Sequence, residues 1–308
     1  GKKLEEILKK LPDADTNSGS FENRQVITIP IAEKSDIAVG ELTGQMVKDV
    51  EFNITCTYGD KTFEVSQFNS YVERTVAIPD GVDPSKITTG IVVEPDGTVR
   101  HVPTKIIVID GKYYAKINSL TNSTYSVVWH LLEFKDTASH WAKEAINDMG
   151  SRMVISGVGN DIFDPDRDIT RAEFAAIIIR ALGLKPGNGK IPFTDVKGVD
   201  WYSSCVVTAA EYKIVSGYGD GKFGPNDKIT REQAMTMIAR AMRITGLKSE
   251  IKDSEISSLF ANYSDATAVS DYAKTSMAAC LKTGIITGRS NNTISPKNCI
   301  TRAEVAVI

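Results

Sequence analysis

A 31-residue frame occurs three times in this chain, and such internal repetition decides architecture before any single residue does. It runs ungapped from Trp141 to Arg171, from Trp201 to Arg231 and from Tyr272 to Arg302. Each copy carries an aromatic, a glycine sixteen positions later, a proline eight after that, and an Ile-Thr-Arg triplet. The checkpoints are Gly157, Pro165 and Ile169-Thr170-Arg171, then Gly217, Pro225 and Ile229-Thr230-Arg231, then Gly288, Pro296 and Ile300-Thr301-Arg302.

Ahead of each frame stands an aromatic two residues before an aspartate: Phe134 and Asp136, Phe193 and Asp195, Tyr263 and Asp265. The gap from that aspartate to the frame aromatic grows from five to six to seven residues, which places a pliable loop there. The unit reads as loop, helix, turn-rich loop, second helix. Apolar residues at Trp141, Ala145, Met149 and Met153 predict a first helix with one buried face, and Trp201, Cys205, Val206 and Ala209 follow the same schedule.

Each triplet opens a Thr-x-x-Glu/Gln sequence, Thr170 to Glu173, Thr230 to Gln233 and Thr301 to Glu304. That spacing predicts a capping box at the start of the second helix, contributing about 1 kcal/mol per helix. The arginine is out of place by the same electrostatics, because a cation at the first helical position faces the positive end of the macrodipole. A negative partner must offset it. Two remain open: an internal ion pair with Asp136, Asp195 or Asp265, or an external carboxylate or phosphate held by helix amides and the guanidinium fork. The aromatics Trp141, Trp201 and Tyr272 carry the same ambiguity between core and ligand platform. An aromatic face beside an arginine and an aspartate suits a saccharide.

These residues resemble S-layer homology domains, the wall-anchoring modules of bacterial surface proteins. The Ile-Thr-Arg-Ala-Glu signature stands at 169–173 and 300–304, while the middle copy reads Ile-Thr-Arg-Glu-Gln. The resemblance covers about residues 134–308. It implies a pseudo-threefold helical unit whose grooves hold secondary cell-wall polysaccharide, typically through a terminal pyruvylated N-acetylmannosamine that supplies a carboxylate. Carried over by position, it implies that Arg171, Arg231 and Arg302 pair with the acidic sugar. Asp136, Asp195 and Asp265 would bind hydroxyls or orient the arginines, and Trp141, Trp201 and Tyr272 would pack on the ring. Gly157, Gly217 and Gly288 would permit a close backbone approach or serve as a turn or helix cap. The third copy ends at Ile308, seven residues past its cap, so the resemblance implies an incomplete third repeat. It also implies an extracellular location, with an export signal expected upstream of Gly1.

A net charge of −3 argues against general nucleic-acid binding, and no apolar run is long enough to span a bilayer. Cys56, Cys205, Cys280 and Cys299 lack metal-ligand spacing, so no zinc or other metal is expected and no cofactor is implied. Cys205 and Cys280 read as apolar fillers, with a Cys280–Cys299 bridge as the alternative. The acidic stretch 160–168 invites calcium, but Pro165 and the missing EF-hand glycine and terminal glutamate favour turn-forming and capping aspartates.

Residues 21–130 have another character. β-branched runs at 26–29, 50–57, 73–78, 90–93, 105–109, 113–117 and 124–129 read as strands, with turns at 58–60, 95–97 and 110–111. They predict a small antiparallel sandwich or barrel, preceded by an amphipathic helix with a polar linker over residues 1–20. The expected class is α+β and multidomain: this β-rich spacer, then repeats at 134–191, 192–246 and 263–308, with 247–262 as a surface linker. His101 and His130 have no nucleophile beside them in sequence, so no catalytic triad is expected. A non-catalytic wall anchor is the first reading. A tether cut from a larger glycoside hydrolase and a self-assembling lattice protein are the alternatives.

Overall fold

The computed structural model describes residues 27–28, 31–34, 45–52, 54–58, 61–65, 67–247 and 250–308. The expected N-terminal helix and linker lie outside them. Eleven strands precede seven α-helices among the described residues, an α+β chain with an antiparallel β region.

The strands are β1 (Ile27–Thr28), β2 (Ile31–Lys34), β3 (Gln45–Phe52), β4 (Thr55–Tyr58), β5 (Lys61–Glu64), β6 (Gln67–Ala77), β7 (Thr89–Val93), β8 (Val99–Val102), β9 (Thr104–Ile109), β10 (Lys112–Thr121) and β11 (Thr124–Trp129). They form sheets of order β1-β4-β5, β6-β10-β9 and β2-β3-β11-β7-β8. The larger two share one buried cluster: Val50, Phe52, Val92, Tyr125 and Val127 meet Val76, Ala115 and Ile117. The expected run 50–57 divides because its halves pair differently, β3 with β2 and β11, β4 with β1 and β5. Between β9 and β10, Asp110 and Gly111 both take positive φ, +50° and +76°, as a two-residue hairpin with the natural strand twist requires.

The helices are α1 (Lys143–Ser151), α2 (Arg171–Ala181), α3 (Ser203–Glu211), α4 (Arg231–Thr245), α5 (Asp253–Phe260), α6 (Asp271–Lys282) and α7 (Arg302–Val307). All three expected capping boxes form, at Thr170, Thr230 and Thr301. The predicted face of the first helices is corrected. Trp141 and Trp201 stand in the turn before α1 and α3 and are 67% and 60% exposed, while Ala142, Ile146 and Gly150, or Tyr202, Cys205, Val206 and Ala209, fill the buried side. The frame aromatic precedes the helical phase, so the apolar period starts one residue later. Within 247–262, read from its polarity as linker, residues 253–260 are helical, and Lys282 pairs with Glu255 at 2.7 Å to hold α5 against α6.

The three triplets meet at one point. Ile229 N donates to Ile169 O, Ile300 N to Ile229 O and Ile169 N to Ile300 O, at 3.1, 3.2 and 3.0 Å. Their side chains are fully buried. This closed ring gives each backbone donor a partner where strands too short for a sheet would otherwise leave orphans. The β region docks on the first repeat beside it. Tyr71 Oη donates to Leu182 O at 2.7 Å, Arg100 to Gly183 O, and Lys185 pairs with Glu94 at 2.6 Å. Gly183 holds φ +61°, and a Cβ there would lie 2.9 Å from His101 O.

Candidate site at the repeat junctions

Each arginine of the triplet reaches out of its own repeat. Arg171 Nε donates to Phe223 O at 2.9 Å in the second repeat, Arg231 Nε to Ile294 O at 3.0 Å in the third, and Arg302 Nε to Phe163 O at 2.8 Å back in the first. All three are at most 6% exposed. Burial lowers each guanidinium pKa from the ordinary arginine value. Aromatic faces cover two of them: Arg171 lies 4.5 Å from the Tyr218 ring centre and 5.1 Å from Phe223, and Arg302 lies 4.4 Å from Phe163.

The aspartates hold the far side of the same peptides. Asp136 accepts from Phe163 N and Asp164 N, Asp195 from Phe223 N and Gly224 N, and Asp265 from Ile294 N and Ser295 N, at 2.7–2.9 Å. The expected direct Arg–Asp pair is therefore replaced. One residue stands between the two charges, its N–H on the carboxylate and its C=O on the guanidinium. Burial pushes the Asp136 and Asp195 carboxyls up, but paired backbone donors outweigh it and hold both below the usual aspartate range.

The expected anion site on the helix amides is corrected. Arg171 N and Ala172 N already donate to Asp227 O and Pro225 O, Arg231 N and Glu232 N to Asn298 O and Pro296 O, and Arg302 N and Ala303 N to Arg167 O and Pro165 O. The next amide in each helix is taken by the cap threonine. Only the guanidinium remains to meet a ligand. The three glycines are likewise used internally. A Cβ on Gly157 would lie 2.8 Å from Phe134 Cε1, on Gly217 2.8 Å from Phe193 Cε1, and on Gly288 2.5 Å from Tyr263 Cε1. They admit the opening aromatic of their own repeat, a role the spacing did not reveal.

Trp141, Trp201 and Tyr272 are exposed, which removes the core reading for all three. Tyr272 Oη donates to Glu232 at 3.0 Å, and its pKa is pushed up to about 12, by burial first and by that carboxylate second. Cys205 and Cys280 are buried, and they and Cys299 are free thiols, so the alternative Cys280–Cys299 bridge is absent. Among the described residues no cluster of His, Cys, Asp and Glu is arranged to hold a metal ion. Asn160, Asp161 and Asp164 of the acidic stretch take left-handed turn conformations. No described helix is long and apolar enough to cross a membrane.

The interactions missed in sequence are ionic. Arg302 Nη1 lies 3.4 Å from Glu173 and Arg231 Nη1 3.6 Å from Glu304, so the capping glutamate of the next repeat faces the incoming arginine. The Glu-Gln inversion in the middle copy was the available signal.

Comparison with known proteins matches the S-layer homology domain at residues 133–175, 192–235 and 262–306. An amylopullulanase of Thermoanaerobacterium thermosulfurigenes is 34% identical over 77% of this chain and 12% of that protein. The exoglucanase XynX of Acetivibrio thermocellus is 37% identical over 61% of this chain and 17% of its own length. The surface-layer 125 kDa protein of Lysinibacillus sphaericus is 31% identical over 55% of this chain and 14% of its own. This chain thus spans less than a fifth of each of these relatives. It carries three tandem S-layer homology domains of the kind found in bacterial surface-layer proteins.

Proposed function

We propose that this chain is a non-catalytic anchor that fastens a larger surface protein to the bacterial cell wall by binding secondary wall polysaccharide. The ligand is an acidic sugar of the pyruvylated N-acetylmannosamine type. The three repeats act as one pseudo-threefold unit around the isoleucine ring, and the β region ahead of them acts as the spacer. The observation that carries the reading is the recurrence, in all three repeats, of an exposed frame aromatic and of an arginine buried at a repeat junction. A saccharide ring needs an apolar face to lie on, and its carboxylate needs a preorganised, poorly hydrated cation. Several weak sites on one chain would bind multivalently.

Arg171, Arg231 and Arg302 would meet the carboxylate, Trp141, Trp201 and Tyr272 would face the ring, and Asp136, Asp195 and Asp265 act indirectly, by fixing the peptides the arginines grip. Burial pushes the His101 pKa down to about 4 with its Nδ1 2.7 Å from Thr89 Oγ1, and His130 Nδ1 lies 2.7 Å from Ser151 O. The relatives name two classes of cargo for such an anchor, a polysaccharide hydrolase and a surface-layer protein.

The test is co-sedimentation with purified sacculi before and after chemical removal of the secondary polysaccharide, together with the triple change Arg171→Ala, Arg231→Ala and Arg302→Ala. Binding that requires both the polysaccharide and the arginines, in a variant that stays folded, is expected. Binding that survives removal of the polysaccharide would assign the ligand to peptidoglycan and end this reading.

A further inference from the structure

The three junctions do not use their arginines alike. Arg302 Nη2 donates to Ser156 O at 2.7 Å, and its Nη1 reaches Glu173. Arg231 Nη2 donates to Thr287 O at 3.4 Å, and its Nη1 faces Glu304, which is also held by Arg289. Arg171 spends only Nε. Among the described residues neither of its terminal nitrogens has a hydrogen-bond partner, and neither is sealed from solvent.

The cause lies in one inverted pair of residues. Where the first and third repeats have Ala-Glu after the arginine, the second has Glu232-Gln233. Gln233 keeps the capping box, its Oε1 accepting from Thr230 N at 3.2 Å. An amide has one acceptor atom, so the place of the second carboxylate oxygen of Glu173 and Glu304 goes to Nε2, a donor. The displaced acid, Glu232, turns away to Ser270, Tyr272 and Lys297, with Lys297 at 2.7 Å. The other carboxylates acting on Arg171 are engaged too: Asp227 accepts from Tyr218 Oη at 2.9 Å, and Asp195 from two backbone amides.

We propose that the junction of the first and second repeats is the anion-selective seat of the three, binding the carboxylate of a wall saccharide through the Arg171 fork and the Gln233 amide, with Tyr218 and Tyr272 alongside. The proposal rests on the polysaccharide-binding reading and narrows it to one groove. At the other two junctions the arriving carboxylate must compete with a glutamate already in place. At this one the capping position holds an amide, and no carboxylate is hydrogen-bonded to the fork. Tyr272 comes from the third repeat and lies within the field of Arg171, so all three repeats contribute to the seat.

Calorimetric titration with polysaccharide released from sacculi, native and carboxyl-reduced, tests it. Gln233→Glu installs the residue that the other two repeats carry in an intact capping box, so the variant should fold. It should weaken binding about tenfold or more, the scale of one lost charge-assisted contact. Carboxyl reduction of the polymer should weaken wild-type binding similarly. Glu304→Gln should add a second binding site by opening the junction of the second and third repeats. Binding that survives both Gln233→Glu and Arg171→Gln would overturn the choice of groove while leaving the anchor intact. A wild-type chain that binds neither form of the polymer would overturn the anchor and this proposal together.

Discussion

The β region and the repeat ring each bury an arginine, and they do it differently. Arg74, in the β region, is 3% exposed and spreads its fork over Val72 O, Ser119 O, Thr121 O and Asn122 Oδ1 at 2.7–3.4 Å, with the rings of Phe52, Phe68 and Tyr125 around it. Arg171, at the ring, is nearly as buried and makes one side-chain hydrogen bond. A cation whose donors are consumed by carbonyls holds strands in place. One whose terminal nitrogens are left open keeps part of its hydrogen-bonding capacity for something outside the chain, at some cost to the fold.

The largest effect should therefore fall on the residue with no ligand role. Arg74→Met strands four acceptors at about 1 kcal/mol each, or about 4 kcal/mol, whereas Arg171→Met strands one and should cost about 1 kcal/mol. Denaturant unfolding of both variants beside sacculus binding separates the roles. Arg74→Met is expected to lose stability, and Arg171→Met to lose binding. Equal destabilisation would mean that Arg171 is as structural as Arg74.

Next comes the ring itself. Ile229 is fully buried between the other two triplet isoleucines, and truncation to alanine should cost about 3 kcal/mol through lost burial and a residual cavity. The contacts of Tyr71 with Leu182, Arg100 with Gly183 and Lys185 with Glu94 couple the β region to the first repeat. Ile229→Ala should accordingly lower the unfolding midpoint seen by probes in both regions. A shift confined to the repeats would show that this docking carries little energy.

The repeat period, the caps and most strands could be read from the residues because they rest on local rules: a capping box needs only four consecutive residues, and an Asp-Gly turn only two. The apolar schedule misplaced Trp141 and Trp201 because spacing cannot say which residue begins the helical phase. Polarity misread residues 253–260 as linker because a short helix packed at one edge needs few apolar residues. The junction chemistry was beyond reach for a further reason. Arg302 grips Phe163 across 139 positions, and the Asp–peptide–Arg bridge exists only once two repeats abut. The Glu-Gln inversion was visible as a departure, but its consequence required knowing that the glutamate faces the next arginine rather than solvent.

The smallest effect isolates that bridge. The Asp195 carboxyl sits below its ordinary value of 3.8 in the folded chain, so its stabilisation is fully present above that value and is lost as pH falls through the lower folded one. Asp136 has the same sign. Asp195→Asn keeps one acceptor and drops the charge, costing about 1 kcal/mol at neutral pH. It should also flatten the acid limb of the stability curve of the repeats, leaving the β region, whose Arg74 carries no acidic partner, unaffected there. If wild type and Asp195→Asn lose stability in parallel below pH 3.8, the carboxylate is not bracing the peptide that Arg171 grips, and the arginine must be held in place by Tyr218 and Phe223 alone.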